Sequence, residues 1–241
     1  MILTKPVKDM LRSLRHLLRR LYSRVEARLL PLHHKERSEI AYWQSRLSAE
    51  GQLANNHYLH SYTSAFDLKP SFYAGKRILD IGCGPRGSLE WADMAAERVG
   101  LDPLASQYLK MGAQHHKMTY VAASSDAIPF PAGHFDVVCS LNSLDHVADL
   151  EKTEAEIKRV ARPGGLFLLI TEVNHPATAT EPINLPWSIS ESFMDAFSLV
   201  DEKHYEIGDH DIHGQISRDV RFDESNRADR PGIVLAKFER R

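Results

Sequence analysis

The chain has 241 residues, 43% of them apolar and 26% charged, which fits one α/β domain with extensions and excludes both a disordered and a fibrous class. A net charge of −2 supplies no global field for gathering nucleic acid, so a small-molecule substrate is expected. Cys83 and Cys139 form no paired motif, and no apolar run reaches spanning length, so a cytoplasmic protein is expected.

Residues 7–30 carry Val7, Met10, Leu14, Leu17, Leu18, Leu21 and Val25 at helical spacing, interleaved with basic residues such as Arg12, Arg15 and Arg19. The pattern predicts an amphipathic helix that docks on the domain or a partner. Peripheral contact with an anionic membrane is the alternative. Pro31 ends this helix, residues 35–50 read as a second one, and 57–68 as a third. Tyr42, Trp43 and Tyr58 in these segments are expected to be core. We place an N-terminal helical extension at residues 1–74 and the main domain at 75–241.

From Gly75 onward strand and helix alternate. Strands are predicted at residues 77–81, 98–101, 118–121, 135–140 and 166–171, with helices at 89–97, 104–111 and 150–162. This alternation implies a mostly parallel sheet flanked by helices. Residues 199–207 and 233–238 read as strands without a helix between them, hence an antiparallel pair at one edge. The polar segment 208–231 is predicted to be a long loop.

Ile78-Leu79-Asp80-Ile81-Gly82-Cys83-Gly84 is a buried strand running into a glycine-rich turn. Glycines at 82 and 84 let the backbone turn sharply and approach a cofactor. Gly82, Gly84 and Gly87 also satisfy the GxGxxG spacing of dinucleotide sites. Asp80, at the strand end, suits a cationic ligand better than a pyrophosphate. Asp102 ends the second strand, twenty positions beyond Gly82, where a carboxylate accepts ribose hydroxyl protons; Pro103 follows as the first residue of a helix that Asp102 could also cap.

Together these segments resemble the class I S-adenosylmethionine-dependent methyltransferases over residues 75–171. Asp80-Ile81-Gly82-Cys83-Gly84 is similar to the first motif, Asp102 to the acidic second, and Ser125-Asp126-Ala127-Ile128-Pro129-Phe130 to the adenine-binding third. Phe135 to Ser140 resembles the fourth strand, and Ala161-Arg162-Pro163-Gly164-Gly165 the turn before the fifth. The resemblance implies a Rossmann-like α/β fold and S-adenosyl-L-methionine as cofactor. It also implies that Asp126 bonds the adenine amino group, that Ala127 offers its backbone N–H to the ring, and that Leu141 borders the methionine moiety.

After the fourth strand the chain reads Leu141-Asn142-Ser143-Leu144-Asp145-His146-Val147, without the Asn/Asp-Pro-Pro-aromatic motif of nucleic-acid and glutamine methyltransferases. A small-molecule acceptor is therefore expected, and no nucleic-acid partner. His146 is the best candidate for a general base, since an imidazole titrates near neutrality; packing or helix capping is the plainer role, and His175 is a weaker candidate. Asp136 reads as structural. His210, Asp211 and His213 match no zinc spacing, and no metal is expected. Two rivals stay open at this level: an NAD-dependent oxidoreductase, and a cofactor-binding interaction protein that transfers no methyl group. The oligomeric state is not legible.

Overall fold

The computed structural model describes residues 31–178, 180–208, 211–227 and 230–241. The predicted helix at 7–30 lies outside them. Seven strands form one sheet in the order β3-β2-β1-β4-β5-β7-β6. They are β1 (Arg77–Ile81), β2 (Glu97–Leu101), β3 (Thr119–Val121), β4 (Phe135–Leu141), β5 (Ala161–Val173), β6 (Phe197–Tyr205) and β7 (Gly232–Arg240). The first five run parallel, and β7 pairs antiparallel with both β5 and β6. The parallel sheet and the antiparallel edge pair are thus those the sequence predicts.

Burial on both faces explains why the central strands read as apolar runs. Leu79, Val99, Val138 and Phe167 point into one core layer, with Ile157 and Val160 of helix α4 (Leu150–Val160). Ile78, Val137, Cys139 and Leu168 point into the other, where Tyr58 and Tyr62 of the short helix α2 (Tyr58–Tyr62) cover them. Among the described residues no helix is long and apolar enough to cross a membrane.

Three predicted elements differ. The helix expected at 89–97 does not form, and residues 87–96 fold as successive turns. Tertiary partners hold groups that a helix would use internally. Arg98 Nη1 donates to the carbonyls of Leu89 and Glu90, while Glu90 Oε1 accepts from the backbone of Lys117 and Met118 at 2.9 and 2.8 Å. Trp91 packs edge-on against Tyr73. The helix expected at 57–68 stops at Tyr62, because Thr63 leaves helical geometry at φ −120°, ψ −88° and its hydroxyl turns back to the Leu59 carbonyl. Within the expected loop 208–231 lies helix α5 (Ile212–Ser217), capped by Asp211 and anchored by buried Ile212 and Ile216.

The other N-terminal helix, α1 (Pro31–Glu50), and helix α3 (Ala105–Lys110) both pack near the end of β2, where the Tyr108 hydroxyl donates to Glu39 at 3.1 Å. Asp136 is structural, as expected. Its Oδ2 accepts from the Arg77 amide at 2.7 Å and its Oδ1 pairs with Arg162 at 2.5 Å. Burial raises its pKa, but these two donors outweigh it and hold the carboxyl below its ordinary value.

If side-chain anchors replace the helix expected at 89–97, Glu90→Ala should lower stability by about 1–2 kcal/mol, mainly the cost of orphaning the partly buried Met118 amide. Chemical unfolding measures the loss, and hydrogen exchange should place the faster amides at 87–96 and 117–118. Unchanged exchange there would show that Glu90 is not the anchor.

Candidate active site

The sheet's order reverses between β1 and β4, and ligands of open α/β sheets collect outside the strand ends at such a point. Gly82 leaves β1 with φ +70°, and its amide still bonds the Leu101 carbonyl at 2.8 Å. A β-carbon at Gly82 would lie 2.3 Å from Cβ of Ser143, so only glycine lets the two turns cross. Ser143 is itself fixed, donating to the Ile81 carbonyl at 2.7 Å and bonding Ser140 at 2.8 Å.

Two cavities open on this crossing. The smaller, about 240 Å³, is lined by Leu101, Asp102, Pro103, Ser124 and Ser125, with Lys35 from α1. The larger, about 1220 Å³, is walled by Tyr42, Trp43, Tyr58, Gly84, Leu141 and His213, among others. Glu39, Gly82, Asn142 and His146 line both. Tyr42 is exposed, which corrects the expectation that it is core; Trp43 is half-buried, packed against the cluster of Leu104, Tyr108 and Ala113, and Tyr58 is buried, yet both also face the cavity.

Asp102 is 5% exposed, with Oδ1 accepting from Leu104 N at 2.8 Å and Oδ2 from Gly84 N at 3.3 Å. Burial, reinforced by Glu39, pushes its carboxyl up to about 7. The carboxylate therefore ties the end of β2 to the glycine turn while bordering the smaller cavity. Asp80 lies beneath the turn, outside the lining of either cavity. Burial pushes it also to about 7, against hydrogen bonds from the Ser88 and Tyr62 hydroxyls. Asp126 is half-buried and Ala127 exposed, and neither belongs to either lining, although Ser124 and Ser125 beside them do.

Sequence reasoning missed what α1 contributes. Arg86, within the glycine turn, donates to both Glu50 oxygens at 2.8 Å and to the Ala54 carbonyl at 2.8 Å, with its guanidinium over the Trp43 ring. This clamp fastens α1 to the glycine turn along the wall of the larger cavity, and the hydrogen bonds from Arg86 bring Glu50 down to about 2. Lys35 Nζ donates to the His146 carbonyl, so the same helix holds the loop after β4. Nothing in the spacing of the glycine motif signals either contact.

His146 is half-buried, with Nε2 3.8 Å from Asp145 Oδ2 and 3.9 Å from Glu181 Oε1. His175 Nε2 lies 3.5 Å from the same Asp145 oxygen. Interaction with Asp145 drives His175 up to about 9, despite burial. Both sequence candidates for acid–base work, from two different loops, thus converge on one buried carboxylate. His213 lies apart, bonded through Nδ1 to Ser61 at 2.8 Å, and burial lowers it to about 4. His210 lies outside the described residues, and Asp211 instead caps α5 by accepting from Gly214 N at 3.0 Å.

Residues 79–169 match the family model of a methyltransferase domain. Tocopherol O-methyltransferase of Arabidopsis thaliana is 32% identical over 120 residues, 46% of this chain and 34% of the relative. Malonyl-[acyl-carrier protein] O-methyltransferase of Enterobacter lignolyticus is 35% identical over 96 residues, 39% of this chain and 38% of the relative. The matched region thus spans little more than a third of each relative's length. An S-adenosylmethionine-dependent methyltransferase from Mesorhizobium loti shares the fold, with a TM-score of 0.52 at 19% identity over 70% of this chain and 92% of its own. Residues 79–169 are accordingly similar to a methyltransferase domain, and S-adenosyl-L-methionine is the cofactor this similarity implies. The glycine turn and the buried Asp102 beside the smaller cavity fit a ribose-bearing ligand of this kind.

The raised carboxyl of Asp102 sets a pH dependence. In the unfolded chain Asp ionises near pH 3.9, and in the folded protein near 7, so folding takes up a proton between these values. Burying the charge therefore opposes folding increasingly as pH rises to 7. Asp102→Asn should gain stability relative to the native chain from pH 4 to pH 7 and hold that gain above it. A pH-independent difference in unfolding free energy would contradict the assignment.

Proposed function

We propose that this chain transfers a methyl group from S-adenosylmethionine to a hydroxyl of a small-molecule acceptor held in the larger cavity. The observation that carries the reading is the pair of cavities joined at Glu39, Gly82, Asn142 and His146. Adenosine would enter the side bordered by Asp102, leaving the sulfonium at the junction and its methyl directed at the acceptor. The names of two relatives, both O-methyltransferases, support oxygen as the nucleophile.

The chemistry asks little of the protein beyond placement, because the sulfonium is already activated. Aligning the acceptor oxygen with the methyl carbon replaces a bimolecular encounter by an in-line displacement. Asp102 would accept from the ribose hydroxyls, Asp80 would support the turn from beneath, and Leu141, at the end of β4, would border the methionine chain. By the same family likeness, Asp126 and the Ala127 amide would meet adenine at the rim beside Ser124 and Ser125. His146, at the junction, activates the acceptor hydroxyl. Tyr42 and Trp43 offer an apolar, aromatic wall for the acceptor's body. We place the protein in the cytoplasm, where the buried free thiols Cys83 and Cys139 stay reduced.

Calorimetric titration should show binding of S-adenosylmethionine and S-adenosylhomocysteine, weakened by Gly82→Val, which forces the turn off Ser143, and by Asp102→Ala. Binding of NAD with no response to either sulfur ligand would overturn the methyltransferase reading. His146→Ala should keep cofactor affinity nearly unchanged and lower turnover by roughly a hundredfold, the scale of losing a group that manages an acceptor proton. Full turnover in that variant would remove His146 from the mechanism.

A further inference from the structure

We propose that Asp145, His146 and Glu181 hold a divalent cation in the wall of the larger cavity, a role absent from the expectations drawn from sequence. Their ligating atoms all lie within 4.8 Å of one another. Asp145 is 1% exposed, and its Oδ1 is buried without a hydrogen-bond partner. His146 Nε2 is likewise buried and unpartnered. Native proteins rarely leave such atoms unsatisfied unless a water or ion completes them. The separations from Nε2, 3.8 Å to Asp145 Oδ2 (the other oxygen of that carboxylate) and 3.9 Å to Glu181 Oε1, are too long for hydrogen bonds. They suit donors gathered around one ion, since metal–ligand bonds of roughly 2.0–2.2 Å set neighbouring ligand atoms about 3–4 Å apart.

The surroundings hold the three groups in place. Glu181 Oε2 accepts from the Thr178 hydroxyl at 3.1 Å, leaving Oε1 as the oxygen nearest His146. The Ile183 amide bonds the Asp145 carbonyl at 3.3 Å, joining the two loops that supply the ligands. His175 Nε2, itself buried without a hydrogen-bond partner, lies 3.5 Å from the same Asp145 Oδ2, with its Nδ1 engaged by the Pro176 carbonyl at 3.1 Å.

Two carboxylate oxygens and one imidazole suit a cation such as Mn²⁺ or Zn²⁺. Because His146 and Glu181 line the cavity, the ion's remaining positions face the acceptor. This inference rests on the acceptor lying there, as proposed above. A hydroxyl bound to the cation loses its proton to solvent more readily. Its oxygen then forms a bond to the methyl carbon as the carbon–sulfur bond breaks and the electron pair returns to sulfur. The cation is unchanged, and His146 activates the acceptor as a ligand instead of taking the proton itself.

The test is titration of the chelator-treated, tag-free full chain with Mn²⁺, read by calorimetry and by the loss of the free-ion paramagnetic resonance signal. One Mn²⁺ per chain is expected, with affinity at least tenfold weaker in Glu181→Gln and in His146→Gln. The thermal unfolding transition serves as the fold control for both variants, and Glu181→Gln, on a half-buried loop residue, keeps the side chain's size. No saturable binding by the native chain, or unchanged binding in either variant, overturns the cation site and leaves the methyltransferase reading standing. Failure of the native chain to bind S-adenosylhomocysteine would strike that reading instead.

Discussion

The turn after β1 and the turn after β4 cross so closely that no β-carbon fits at position 82. Everything at the site depends on that crossing. It brings Gly82 and Asn142 to the seam of the two cavities and places Asp102, His146 and the glycine turn around a common space. The crossing is secured from three sides: by the Ser143 hydroxyl on the Ile81 carbonyl, by the Gly82 amide on the Leu101 carbonyl, and by Asp102 on the Gly84 amide. A ligand approaching here meets backbone with no side chain in the way, which suits the close approach of the cofactor proposed above.

That arrangement is charged in an unusual way. Asp80 and Asp102 are both buried carboxyls raised to about 7, one below the turn and one beside it. The folded protein holds them at a cost to its own stability, since the few hydrogen bonds each accepts do not make up for the water its carboxylate loses. In the proposed complex, ribose hydroxyls would donate to Asp102 and offset part of that cost, while Asp80 stays beneath the turn, outside both cavity linings. Strain of this kind concentrates at functional sites.

The sheet and the glycine turn were legible because they are local: apolar runs bounded by glycine, and Asp102 at a fixed distance from Gly82. The turns at 87–96 were not, because Arg98, Lys117 and Met118, which capture the carbonyls and the Glu90 carboxylate there, lie outside the segment's own periodicity. Helix α5 was hidden by the polar composition around it, with Ile212 and Ile216 as its only apolar anchors. The larger cavity was illegible for a related reason. Its walls come from α1, α5 and the loops after β4 and β5, and a sequence motif cannot report that Arg86 clamps Glu50 or that Lys35 reaches His146. His146 and His175 were each singled out, yet their convergence on Asp145 joins loops about thirty residues apart.

The most direct test of the account is a crystal structure of the chain with S-adenosylhomocysteine. The account predicts ribose hydroxyls on Asp102, the sulfur at the seam beside Gly82 and Asn142, and the open side of the sulfur facing the larger cavity and His146. A ligand bound without contact to Asp102, or with its sulfur sealed from the larger cavity, would contradict it.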